Sequence, residues 1–417
     1  MLESIPTPTP PCAGPNARTN AQWRSEYEKY LTPNYGTRKL ALVRGEGTRV
    51  WDAEGKPYLD FLTGISVNNL GHCHPRITRA IQEQAATLVH VSNLYYIPVQ
   101  IELARLLVEH SFADRVFFGN SGAEANEAAI KLARRWTKEN RGAGHHEILA
   151  MHNSFHGRTM ATLSATGQDK IKLNFEPLLE GFTFGPFNDL AGVAALVGER
   201  TAAVIVEPIQ GEGGICPASE AFLKGLRALC DERGILLIFD EVQCGLGRAG
   251  TLFAYEHYGV APDIMTLAKS LGGGLAMGAM LCTAKLSGAF APGAHASTMG
   301  GNALTSAAGL AYLSELIEGD WPAKGAQMGE SLKAQLAEAT RASRAIKDVR
   351  GRGMMIGIEL KEGAPEVKQA CEDAGLLLNV TAGQTLRLLP PLNVTREEVA
   401  QAVAILAKAI LEQEKKA

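Results

Sequence analysis

Four stretches of the chain set acid, amide or amine side chains directly behind apolar runs of strand length. They are Gly119 to Ala123 (GNSGA), Glu207 to Gly214 (EPIQGEGG), Asp240 to Gly245 (DEVQCG), and Lys269, which follows DIMTLA and precedes SLGGG. Strands of a parallel sheet end on one edge, and ligands bind in the crevice outside those carboxyl ends. Carboxylates, a glutamine, a lysine and a helix start with small residues would therefore converge there. A lysine at such a strand end must reach solvent or meet a partner. Asp240, behind ILLIFD, either caps a turn or pairs with a cation, since burial without a partner would raise its pKa and neutralise it. A pyridinium nitrogen is such a cation, and Asp240 and Lys269 would then address opposite ends of one ring.

The run SGAE (Ser121 to Glu124) fits a capping box. The alternative is that Gly122 and Ala123 present backbone N–H groups to a phosphate at the positive helix end, with the Ser121 hydroxyl helping. GLGRAG (Gly245 to Gly250) matches a dinucleotide fingerprint literally, but it is set off from the apolar run, and Asp263 begins the next strand instead of ending it. GHCHP (Gly71 to Pro75) lacks the distant second cluster that a metal site needs, and His145 and His146 read as solvated loop residues, so no metal is expected.

The elements that must position these groups follow from periodicity. RVFFG, AAVIVEPI, ILLIFD, DIMTLA and AMLCTA read as buried strands, alternating with helical patterns such as AEANEAAIKLARRW and SEAFLKGLRALCDERG, the latter ended by Gly234. Continuous apolar strands between helices indicate a parallel sheet covered on both faces. A break at EGDWPAKG separates this unit from later strands in VRGRGMMIGIEL, GLLLNV and TLRLLP and from a final helix. The expectation is a large domain at 65–320 and a smaller α+β domain from 321–417 joined by 21–64, behind a flexible tail at 1–20.

Composition limits the partners. The 41 Lys and Arg residues nearly balance 44 Asp and Glu, which gives no field for nucleic acid or an anionic membrane and favours small molecules. Seven scattered cysteines without a CxxC pair suggest a reducing compartment, and no apolar run reaches the ~18 residues of a membrane span. The N-terminal residues fit neither a signal core nor a transit peptide, so a cytoplasmic location is expected.

Taken together, DEVQCGLGRAG, LAKSLGGG, NSGAEANEAAIKLAR, SFHGRT, EPIQGEGG, HASTMGGN and LRLLPPL resemble the class III, fold type I pyridoxal-phosphate-dependent aminotransferases from residue 30 to residue 410. The resemblance implies an α/β fold with a mainly parallel seven-stranded sheet between helices, and pyridoxal 5'-phosphate as cofactor. It implies that Lys269 links to the cofactor aldehyde and carries protons, while Asp240 holds the ring nitrogen. Phe155 and Val242 would pack the two ring faces, with His156 among the cofactor contacts and Gln243 near the ring hydroxyl. Ser121, Gly122 and Ala123 would hold the phosphate, with Thr298 reaching it from the partner of a homodimer. Arg158, Ser297, Glu212 and Arg387 would meet the amine and 2-oxoacid substrates, Glu212 acting as a switchable partner of Arg387.

Within the family, FLTGISVNNLGHCHP, SNLYY and SATGQDK are most similar to members acting on N2-acetylornithine. Ornithine, succinylornithine, succinyldiaminopimelate and 4-aminobutyrate are other substrates of the same framework. Ala123 departs from the threonine of many relatives and removes one hydroxyl from the phosphate site. Cys244, Ala276, Ala296 and Met299 also depart, at positions that concern local packing.

Overall fold

The computed structural model describes residues 18–416. Residues 1–17, most of the segment expected to be a tail, lie outside the described residues. The end of that segment is not tail-like: the Thr19 hydroxyl accepts from Gln22 N, the Gln22 side chain accepts from Thr19 N, and this capping box starts a helix at Asn20–Tyr30.

At the centre lies a seven-stranded sheet: β1 (Arg115–Gly119), β2 (Glu147–Met151), β3 (Phe182–Gly185), β4 (Thr201–Val206), β5 (Leu236–Asp240), β6 (Ile264–Leu267) and β7 (Gly278–Cys282). Its order is β1-β7-β6-β5-β4-β2-β3, and only β7 runs antiparallel to its neighbours. Every residue of β4, β5, β6 and β7 is buried, as the continuous apolar runs require of strands covered on both faces. Sequence patterning missed β2 and β3. EILAM opens on a glutamate behind a glycine-rich loop, and FTFG is short and only half-buried, so neither shows a clean apolar run. The histidines before β2 are half-buried, not solvated, and the His146 carbonyl accepts from Arg134 Nε at 3.0 Å.

Helix Gly122–Arg141 lays Ala125, Ala128, Ala129, Leu132 and Ala133 on the sheet, and these small residues let the helix axis come close. Helix Glu220–Arg233 is capped by the Ser219 hydroxyl and ends at Gly234 with φ 62°, a left-handed position where glycine carries no Cβ penalty. The break at EGDWPAKG is the joint between helices Ala303–Glu318 and Trp321–Ala339.

The later strands form an antiparallel sheet in the order Ile346–Arg352, Met355–Leu360, Thr385–Leu388 and Asn379–Thr381. Leu376–Leu377 instead pairs in parallel with Pro57–Asp60, extending the N-terminal strands Leu42–Glu46 and Arg49–Asp52. That pairing ties the segment before 65 to the chain after 320. One core runs from Leu59 through Leu267 and Leu316 to Ile410, so both parts share buried apolar surface.

Gly278, the first residue of β7, abuts the start of the long helix: a Cβ there would lie 2.8 Å from the Ser121 carbonyl carbon. Gly278→Ala is expected to destabilise the protein by about 1–3 kcal/mol through overpacking, read as a lower urea midpoint. An unchanged midpoint would show that the helix start yields freely.

Candidate active site

The carboxyl ends of β1, β5 and β6 deliver their next residues to one cavity of about 520 Å³. Ser121, Gly122 and Ala123 line it from the helix start, Phe155, His156 and Arg158 from the segment after β2, and Asp240, Val242, Gln243 and Lys269 from the ends of β5 and β6.

Asp240 is 4% exposed and fully engaged on its protein side. Its Oδ2 accepts from Asn126 Nδ2 at 2.7 Å and His156 Nδ1 at 2.8 Å, and its Oδ1 from Val242 N at 3.0 Å. Asn126 is itself oriented by the Thr266 hydroxyl, which donates to Asn126 Oδ1 at 2.7 Å, and by the His156 carbonyl, which accepts from Asn126 Nδ2 at 2.8 Å. Glu207, at the end of β4, accepts from Phe155 N at 2.9 Å and Gly211 N at 3.0 Å, so it fixes the backbone that carries the aromatic ring. Burial raises the pKa of Glu207.

Lys269 follows β6 with φ 49°, a left-handed conformation that costs a residue with a Cβ about 1–2 kcal/mol. Such strain persists only where the surroundings over-determine it. Burial lowers the pKa of Lys269, opposed by the charges of Asp240 and Glu212. A larger share of free amine follows, which is what a nucleophile or base requires.

Behind Gln243 sits a second pair. Arg387, 1% exposed, donates from Nη1 to Glu212 Oε1 at 2.5 Å and to Gln243 Oε1 at 3.1 Å, and from Nε to Asn379 Oδ1 at 3.0 Å. Burial pushes Glu212 upward, but the Arg387 guanidinium outweighs it and leaves the carboxyl below its ordinary value. Arg158 is exposed at the rim, its guanidinium 5.5 Å from the centre of the Phe155 ring.

Ser297 and Thr298 do not join this lining. The Ser297 hydroxyl accepts from Asn120 Nδ2 at 3.2 Å and Gly300 N at 3.0 Å, and Thr298 is exposed. The capping box at Ser121 is half formed. The Ser121 hydroxyl accepts from Glu124 N at 3.1 Å, but the Glu124 carboxylate turns to Asn120, one residue before the cap. GLGRAG is a chain of turns with Gly247 and Gly250 at positive φ and Arg248 fully buried, not a strand-to-helix phosphate loop. In GHCHP, His72 Nε2 pairs with Asp60 Oδ2 at 2.8 Å. Among the described residues no group of three or more His, Cys, Asp or Glu is placed to hold a metal.

Sequence reasoning gave Asn126 and Glu207 no role. Asn126 carried a signal, since it is the polar member of an inward helix face otherwise filled by alanine and leucine. Glu207 stood among the strand-end carboxylates, but its work is done through the backbone N–H groups of distant residues.

Fold and site together are those of an enzyme that works with pyridoxal 5'-phosphate. The chain belongs to the class III aminotransferases: the family described as "Aminotransferase class-III" matches residues 30–410. It is 48% identical over 380 residues to an acetylornithine aminotransferase of Caldanaerobacter subterraneus subsp. tengcongensis, covering 91% of this chain and 96% of that protein. Among solved structures, the ornithine aminotransferase of Toxoplasma gondii superposes with a TM-score of 0.93 at 32% identity, covering 96% of this chain and 97% of that one. The N-acetylornithine aminotransferase of Stenotrophomonas maltophilia does so with a TM-score of 0.81 at 38% identity, covering 92% and 99%. The chain is thus a pyridoxal-phosphate-dependent transaminase acting on amine and 2-oxoacid substrates.

The residues present fit that cofactor. Gly122 and Ala123 are the first two residues of the long helix, so their N–H groups have no partner within it. A Cβ at Gly122 would lie 2.7 Å from Val242 Cγ1, so glycine keeps the floor of the cradle open. The cavity places the Lys269 amine and the Asp240 carboxylate on one space, and His156 Nε2 is buried there without a partner.

Glu241, 1% exposed, ties the turn after β5 to the chain beyond it by accepting from Ala254 N at 2.5 Å and Tyr255 N at 2.7 Å. Burial pushes its pKa from 4.5 up to about 8. Between those values the folded protein keeps a proton that the unfolded chain releases, so this group costs stability as pH rises. Glu241→Gln is expected to lessen the fall in unfolding free energy from pH 5 to pH 8, by at most about 1.4 kcal/mol per pH unit. Parallel pH profiles for the two proteins would contradict the buried neutral acid.

Proposed function

We propose that this transaminase moves the δ-amino group between N2-acetylornithine and 2-oxoglutarate, giving N-acetylglutamate 5-semialdehyde and glutamate in arginine biosynthesis. The observation that carries the reading is the closed Arg387–Glu212 pair beside Gln243. A substrate whose reacting amine ends an aliphatic chain brings no carboxylate to Arg387. An open arginine would then be a buried cation without a partner, a costly arrangement. Glu212 supplies that partner for acetylornithine and swings aside when glutamate brings its own α-carboxylate. The names of relatives such as that of Caldanaerobacter favour the acetylated diamine over free ornithine.

When bound, pyridoxal phosphate supplies an aldehyde to take up the amino group and a ring to accept electrons from the substrate carbon. Lys269 would hold the aldehyde and later carry the proton to and from the substrate carbon. Asp240, steadied by Asn126 and His156, would keep the ring nitrogen protonated. Phe155 and Val242 would clamp the ring, with Gln243 toward its hydroxyl. Ser121, Gly122 and Ala123 would bind the phosphate, at the expense of part of the helix cap. Arg158, exposed at the rim, would receive the distant carboxylate of acetylornithine.

The homodimer is part of the proposal. Thr298 is exposed and lies away from its own cavity, which suits a residue that completes the phosphate site of a partner subunit. Among the described residues no helix is long and apolar enough to cross a membrane and the cysteines, Cys73 exposed among them, are free, which is compatible with a reducing cytoplasm.

An amine panel with 2-oxoglutarate, followed by glutamate release, tests the substrate. Acetylornithine is expected to give the highest kcat/KM, and a preference for free ornithine or 4-aminobutyrate would overturn the assignment. Lys269→Ala is expected to abolish the visible absorption of lysine-linked cofactor and to lower turnover by about 10⁴-fold or more; near-normal turnover would remove Lys269 from its role. Glu212→Ala is expected to slow the acetylornithine half-reaction roughly 10-fold or more while the glutamate half-reaction holds or improves. Equal effects in stopped-flow on both half-reactions would end the switch. Mixing subunits that carry Thr298→Ala with subunits that carry Lys269→Ala should give heterodimers with one intact site, and heterodimers with none would contradict the shared site.

A further inference from the structure

Arg248 is wholly buried, yet among the described residues no carboxylate lies within ion-pair distance of it. Burial lowers its pKa to about 10, opposed by the more distant Asp60 and Tyr312. A buried cation solvated only by neutral oxygens is expensive, so its geometry must serve something. Its Nε donates to Ser66 Oγ at 2.9 Å, and its Nη1 to Met354 O at 3.0 Å and Pro390 O at 2.5 Å. Its Nη2 donates to Thr63 Oγ1 at 3.4 Å and to Asn69 Oδ1. Four of the five acceptors lie on segments tied to the active site: Thr63, Ser66 and Asn69 flank the cavity residue Val67, and Pro390 follows Arg387.

The first of these segments is under strain. Thr63, Gly64, Ile65 and Ser66 have φ of 51°, 62°, 62° and 64°, a turn of left-handed helix in which three residues carry a Cβ. Val67, which follows directly, lines the cavity. Ser66 Oγ also donates to the Gln243 carbonyl at 3.3 Å, so the strained turn is tied to the residue that touches Arg387. Asn69 Nδ2 donates to Ser270 Oγ at 3.1 Å, beside the strained backbone of Lys269. Pro390 lies three residues after Arg387.

We infer that Arg248 is a positioning residue that sets two arms of the site in register: through Asn69 and Ser270 the lysine arm at Lys269, and through Pro390 and Ser66 the carboxylate arm at Arg387 and Gln243. This rests on the roles proposed above for Lys269 and Arg387. A lysine cannot replace the arginine, since an ammonium has three donors and no planar fork for five acceptors on separate segments. Asn69→Ala cuts the branch to Lys269 and removes one neighbour of the Ser66 hydroxyl, at 3.1 Å, while leaving the contacts of Arg248 with Ser66, Pro390 and Met354.

Two readouts on the holoenzyme separate positioning from general stability. One is the pH midpoint of the visible absorption of the bound cofactor, which follows the surroundings of Lys269. The other is the affinity for glutarate, an unreactive dicarboxylate that reads the placement of Arg387. Arg248→Lys is expected to shift the midpoint by about half a pH unit or more and to weaken glutarate by about 10-fold. Asn69→Ala is expected to shift the midpoint but to change glutarate affinity less than about 2-fold. If Arg248→Lys lowers only the melting temperature and leaves both readouts in place, the inference is wrong. Should Arg248→Lys not fold, Asn69→Ala decides, because an unmoved midpoint there overturns the lysine branch. Both measurements on the unaltered protein read the roles of Lys269 and Arg387 themselves, so the two claims fail separately.

Discussion

A carboxylate almost sealed at the end of an all-buried strand must meet positive charge or give up its own. Asp240 is that group, and much of the site is arranged around it. Asn126, His156 and the Val242 amide direct three donors at its oxygens, and Thr266 and the His156 carbonyl orient Asn126 in turn. These donors fix the carboxylate in place at the cavity, where, on the function proposed above, a cationic ring nitrogen would meet it. None of the donors carries chemistry alone. They belong to a helix, a loop and strands that only the folded sheet brings together.

The opposite wall is built by strain. Lys269 sits in left-handed backbone, and so does the turn Thr63–Ser66 that carries Val67 to the cavity. Such conformations need support from many sides. Part of it comes from the shared core, which runs without a break between the large sheet and the C-terminal domain. Part comes from Arg248, whose guanidinium reaches segments of both. The Arg387–Glu212 pair stands on the same support, because Arg387 lies on a strand of the C-terminal sheet and Glu212 on the loop after β4. The substrate choice proposed for that pair would therefore depend on how firmly the two parts are held together.

The chain made the large sheet legible where strands are buried on both faces, since AAVIVEPI, ILLIFD and DIMTLA cannot satisfy their side chains elsewhere. It hid the strands EILAM and FTFG, whose polar start or short, half-buried run breaks the pattern. Strand-end logic pointed to Asp240, Lys269, the helix start and the stretch from Glu207 to Gly214, because that logic concerns where backbones stop. The motif resemblance added Arg158 and Arg387, which no local pattern marks, and gave Glu212 its expected partner. Asn126 and Arg248 escaped both routes: each looked like an ordinary member of a helix or glycine-rich loop, and most of their partners lie more than a hundred residues away in sequence. Thr298 and Ser297 stand apart from the cavity of their own chain, and the part proposed for Thr298 in a partner's site is outside what one chain's periodicity describes.

The charge at Asp240 is open to direct observation. With pyridoxal phosphate labelled with ¹⁵N at the pyridine nitrogen, the chemical shift of that nitrogen in the holoenzyme reports whether it carries a proton. The account predicts a protonated nitrogen well above the pH at which the free cofactor loses it, and a neutral one throughout the same range in Asp240→Asn. A nitrogen that titrates in the unaltered enzyme as it does in free solution would contradict it.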